Sequence, residues 1–87
     1  MKHLKTVPDF NGDLEELAQQ VGNLRYDSLE EFLTFLADDL VRQGDADGLN
    51  GRTKLSTQLY KTAEVLYQAR DEMTATWDIC EPYMKDE

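Results

Sequence analysis

Residues 53–81, TKLSTQLYKTAEVLYQARDEMTATWDICE, run for 29 positions without glycine or proline. Leu59, Leu66, Met73 and Cys80 recur every seven residues, and Ala63, Arg70, Trp77 and Met84 repeat four places on. A stripe with alternating steps of four and three is helical spacing, because residues three and four apart share a helix face. At 1.5 Å per residue such a helix is roughly 42 Å long, whereas a compact chain of this size is only about 30 Å across. The segment therefore outruns the domain it belongs to. Glu81 precedes Pro82, which disfavours helical angles and marks the expected end. Leu55, Tyr60, Thr62, Tyr67, Ala69 and Thr76 flank the stripe and widen it beyond the seam of a two-stranded coil.

Two further helices precede it. Asp13-Leu-Glu-Glu16 has the form of an N-cap with an acid three positions on, and Leu14, Leu17, Ala18 and Val21 then follow helical spacing. Gly22-Asn23 offers a residue able to take positive φ and stop that helix. Ser28-Leu-Glu-Glu31 is a second capping box, followed by a broad apolar face of Leu29, Phe32, Leu33, Leu36, Leu40 and Val41. Gly44 is the expected stop of this second helix. On its other side Glu30, Glu31, Asp38 and Asp39 form an acidic face, where Arg42 is placed to pair with Asp38 one turn away.

The stretch Gly44-Asp-Ala-Asp-Gly-Leu-Asn-Gly51 reads as the turn between helices. Aligned as a calcium loop with Gly48 at its sixth position, it puts Gln43 first, Asn50 eighth and Lys54 twelfth. A cation then stands where a chelating carboxylate belongs. No Gly-Lys-Ser/Thr sequence follows, which excludes a phosphate cradle of that type.

The predicted fold is all-α: a small three-helix domain in which two shorter N-terminal helices pack on one long C-terminal helix. Residues 1–11, with Pro8, form an extended arm, residues 12–84 a single helical domain, and residues 85–87 an acidic tail. The two short helices can line up along the third as a hairpin, or stand side by side as a bundle that leaves one end of the long helix bare. The second arrangement is preferred, because Met73, Trp77, Cys80, Tyr83 and Met84 crowd late in the chain and residues of these types are enriched where chains meet.

Charge and composition narrow the function. Nine basic and eighteen acidic residues leave a net charge of −9, most of it in the first fifty residues, which hold eleven acidic and four basic groups. Such a surface repels phosphate backbones, so direct nucleic-acid binding is not expected. No uninterrupted apolar segment approaches the ~20 residues of a membrane helix, and the start Met1-Lys-His-Leu-Lys lacks the apolar core of a secretory signal. A single cysteine permits no internal disulfide, and the expected location is the cytoplasm.

Neither a metal site, a cofactor site nor an enzymatic centre is expected. His3 is the only histidine, and Cys80, the only thiol, has no base near it in sequence and is followed by Glu81. The reading that asks least of the chain is an acidic helical protein–protein interaction or adaptor module that self-associates, as a homodimer, through its long helix. Tyr60, Tyr67, Met73, Trp77, Cys80, Tyr83 and Met84 are its expected interface residues. The alternative is an acidic mimic or inhibitor of a nucleic-acid-binding protein, with Asp27, Glu30, Glu31, Asp38, Asp39, Asp45 and Asp47 as a phosphate-like row.

Overall fold

The computed structural model describes residues 3–84, and every regular element in it is helical. The expected acidic tail, 85–87, lies outside the described residues. Helix α1 spans Leu14–Gly22, α2 Tyr26–Leu49 and α3 Thr53–Cys80, and a single 3-10 turn, Glu81–Tyr83, follows.

Helix α1 starts where its capping box predicts. The Glu16 N–H donates to the Asp13 carboxylate at 2.8 Å, and the Asp13 N–H donates back to Glu16 at 3.3 Å, so two amides without helical partners are satisfied. Its end differs from expectation. Asn23 caps it at φ −86°, within the ordinary right-handed region, and its N–H is shared between the carbonyls of Gln19 and Gln20. No left-handed residue is used.

Helix α2 departs from the sequence reading at both ends. It begins at Tyr26, and the Ser28 capping box does not form. Asp27 replaces it, accepting the Ser28 N–H at 2.9 Å and a two-pronged pair from the Arg25 guanidinium at 2.7 and 2.8 Å. It then runs through Gly44, the expected stop, to Leu49. A glycine inside a helix costs about 1 kcal/mol against alanine, and tertiary contact explains its presence. A Cβ on Gly44 would lie 2.7 Å from Cε1 of Tyr60, and one on Gly48 would lie 3.2 Å from Oγ of Ser56. These glycines let α3 approach the helix backbone. The reversal of direction falls at Gly51, which among the described residues is alone in having positive φ, at 80°. There the Arg52 N–H donates to the Asp47 carbonyl at 2.8 Å, and the Arg52 side chain meets the Asp47 carboxylate at 3.1 Å.

Helix α3 matches its prediction, starting at Thr53 and ending before Glu81 and Pro82. With α2 it forms an antiparallel hairpin, in register where Gly48 meets Ser56, Gly44 and Asp45 meet Tyr60, and Asp38 meets Tyr67. Ala37, Gly44, Ser56 and Ala63 are the buried residues of this part of the chain. They lie seven apart on each helix, so the seam consists of small residues that bring the two backbones close. The larger side chains then project to either side. None of them is fully buried.

Two shorter helices packed on a long one is thus half of what the fold contains. Helix α2, at 24 residues, nearly equals the 28 of α3, and these two make the extensive packing, whereas α1 has no comparable contact with either. Once α2 continues past Gly44 it occupies the α3 stripe along its length. The result is closer to the hairpin than to the side-by-side bundle that the sequence favoured. The chain is elongated, with extents of 51 × 30 × 14 Å.

Candidate functional site

The hairpin has two unlike flanks, and two side-chain bonds fix which is which. The Tyr60 hydroxyl donates to Asp45 and the Tyr67 hydroxyl donates to Asp38, tying α3 to α2 on one side. At 100° per residue, Asp27, Glu31, Asp38 and Asp45 share that side of α2, and Glu64, Asp71 and Asp78, seven apart, share it on α3. This is an acidic flank built from both helices. The α3 contribution is missing from the sequence reading, although its spacing of seven was visible.

The two tyrosine bonds carry a pH dependence. Each carboxylate accepts the phenolic proton and so favours the neutral phenol, pushing both tyrosines above their usual value of 10.0. For Tyr60 a hydrogen bond with Ser56 acts the other way, against the larger effect of Asp45. A group whose pKa is raised by folding contributes stability that is complete below its unfolded pKa and disappears as pH rises through the folded one. Wild-type protein should therefore lose stability above about pH 10, and the double variant Tyr60→Phe/Tyr67→Phe should lose less over the same interval. Thermal melts from neutral to strongly alkaline pH measure the difference. Parallel curves for the two proteins would show that these bonds carry none of it.

The opposite flank holds Leu29, Phe32, Leu36, Leu40 and Gln43 of α2 beside Leu55, Leu59, Thr62, Leu66 and Met73 of α3. Among the α2 carboxylates only Asp47, seven residues after Leu40 at the turn end, falls on this flank, and there it is paired with Arg52 at 3.1 Å. Phe32 and Leu36 each remain 40% exposed and Leu55 48%. These are ordinary core residue types at core spacing, left half in solvent.

The ends of the hairpin carry the remaining features. At the open end, Cys80 and Met84 share a cleft of about 300 Å³ with residues 22–26. Beside it the Arg25 guanidinium stacks over Trp77, 5.4 Å from the ring centre, while its fork lowers the pKa of Asp27. At the turn end, His3 borders a second cleft of about 260 Å³ with Gln43, Asp47, Arg52 and Leu55, so the arm returns to the tip of the hairpin. The only histidine and the only thiol thus sit at opposite ends of the molecule. Among the described residues no group of three or more His, Cys, Asp or Glu side chains is placed to hold a metal ion.

The residues expected to form one interface are divided by this geometry. Tyr60 and Tyr67 lie on the acidic flank, bonded within their own chain. Met73 faces the apolar flank, Trp77, Cys80 and Met84 cluster half-buried at the open end, and Tyr83 is exposed beyond it. The expected acidic face is divided as well. Glu30 is half-buried and Asp38 is held by Tyr67. Asp39 binds Arg42 and Gln43, both at 2.8 Å, and these partners lower its pKa. Arg42 accordingly pairs three residues back with Asp39, and the expected Arg42–Asp38 pair is absent. Asp38 turns instead toward α3.

Comparison of the chain with family models, with curated proteins and with solved structures gives no match.

Proposed function

We propose that this chain is an acidic protein–protein interaction module that works as a self-associated helical hairpin. One observation carries the reading. The chain exposes 6925 Å², whereas the size scaling of compact monomers gives roughly 5,200 Å² for 10.0 kDa, an excess of roughly 1,700 Å². A radius of gyration of 15.6 Å against about 12 Å for a compact chain of this length expresses the same openness. Interfaces of standard size cover about 800 Å² per partner and obligate dimers cover more, so the excess has the size of a dimer contact.

Sedimentation equilibrium over micromolar concentrations tests the proposal. The expected mass is twice 10.0 kDa, and a monomer throughout that range overturns it. The alternative, an acidic mimic of nucleic acid, draws support from the row Asp27, Glu31, Asp38 and Asp45. Three of those four carboxylates already hold Arg25, Tyr67 and Tyr60 of the same chain. A partner captured at low salt and released at high salt would favour it.

A further inference from the structure

We infer that a second copy of this chain docks on the apolar flank, closing two hairpins into a four-helix bundle with Phe32 and Leu36 near its centre and both acidic flanks turned outward. The inference rests on the self-association proposed above and adds to it the face and the kind of contact.

Charge selects this flank. Two copies at −9 each repel one another, and a stable contact must keep their carboxylates apart. The flank tied by the Tyr60–Asp45 and Tyr67–Asp38 bonds carries Asp27, Glu31, Asp38, Asp45, Glu64, Asp71 and Asp78, whereas the opposite flank carries Asp47 already paired with Arg52, so a copy docking there buries the fewest like charges.

Shape selects it too. The seam of Ala37, Gly44, Ser56 and Ala63 draws α2 and α3 together and leaves a layer in which Phe32, Leu36 and Leu55 are exposed and Leu29, Leu40, Leu59 and Leu66 half-buried. Two such layers face to face complete the core that four-helix bundles form from paired hairpins. The contact is isologous, so each substitution in it enters twice.

The test has two parts. Leu36→Lys places two ammonium groups in the proposed core and should weaken dimerisation by at least about 100-fold, whereas Glu64→Lys, on the acidic flank, should leave it unchanged or tighten it. Because Leu36→Lys can also disturb the hairpin, distances are measured separately in the Cys80→Ser background with a spin label on Leu36→Cys or on Glu64→Cys. Labels at position 36 should lie closer between copies than labels at position 64.

A wild-type chain that stays monomeric removes the self-association reading itself and leaves the flank to a different partner. A wild-type dimer that survives Leu36→Lys, or whose labels are closer at position 64, keeps self-association and overturns this assignment of the face.

Discussion

Ala37→Leu should unfold a large fraction of the chain or lower its stability by about 1–3 kcal/mol or more, while Phe35→Ala, two residues away, should change it by less than about 0.5 kcal/mol. The order reverses the usual expectation that losing an aromatic ring costs more than changing an alanine. Ala37 is 0% exposed in the seam between α2 and α3, with Gly44 a heptad further on and Ala63 at 1% on the facing helix. A leucine there can be accommodated only by moving the helices apart, which loosens the seam along its length. Phe35 points away from α3 and is 62% exposed, so little packing is lost with it. Urea denaturation at one fixed protein concentration compares the two variants with the concentration that governs association held the same. Equal midpoints would mean that the small-residue seam is not what holds the hairpin.

Two glycine substitutions should have opposite signs. Gly22→Ala adds a methyl at a helical position with nothing within 4 Å, and should stabilise α1 by about 0.5–1 kcal/mol through helix propensity. Gly44→Ala makes the same local gain but sets its methyl 2.7 Å from Cε1 and 3.0 Å from Cδ1 of Tyr60. The ring must swing, and it cannot do so while its hydroxyl holds Asp45. Crowding of this kind costs about 1–3 kcal/mol and outweighs the propensity gain. A cycle with Tyr60→Ala isolates the cause, because without the ring Gly44→Ala should become stabilising. If Gly44→Ala destabilises equally in both backgrounds, the tyrosine contact is not the reason for the glycine.

That glycine marks where sequence reading and structure part. Local chemistry was legible in several places where it stayed local, the Ser28 box being an exception. The Asp13–Glu16 box, the uninterrupted run from Thr53 and the stop before Pro82 each depend on neighbours within one turn. Gly44 and Gly48 carry the same local signature as Gly51, yet only Gly51 turns the chain. The difference lies in Tyr60 and Ser56 across the seam, residues that sequence distance does not bring together. The end of α2 was misplaced for that reason, and with it the arrangement of the bundle.

The site divides in the same way. That the helices carry more apolar surface than they hide, and that their acids are numerous, follows from composition and periodicity. Which flank each residue joins depends on rotation of one helix against the other, set by small residues in the seam and by the bonds Tyr60–Asp45 and Tyr67–Asp38. Tyr60 and Tyr67 therefore left the apolar group with which their spacing had placed them, and Glu64, Asp71 and Asp78 joined an acidic flank.

By itself, the sequence determined an all-helical chain with a long C-terminal helix, an acidic surface and a stripe too wide for one helix to cover, because helical period and capping act over a few residues. The tertiary structure alone decided that α2 passes through its glycines, that α1 takes no part in the main seam and that apolar and acidic residues separate onto two flanks. Those outcomes depend on how closely two backbones approach, and the approach is set by side chains distant in sequence.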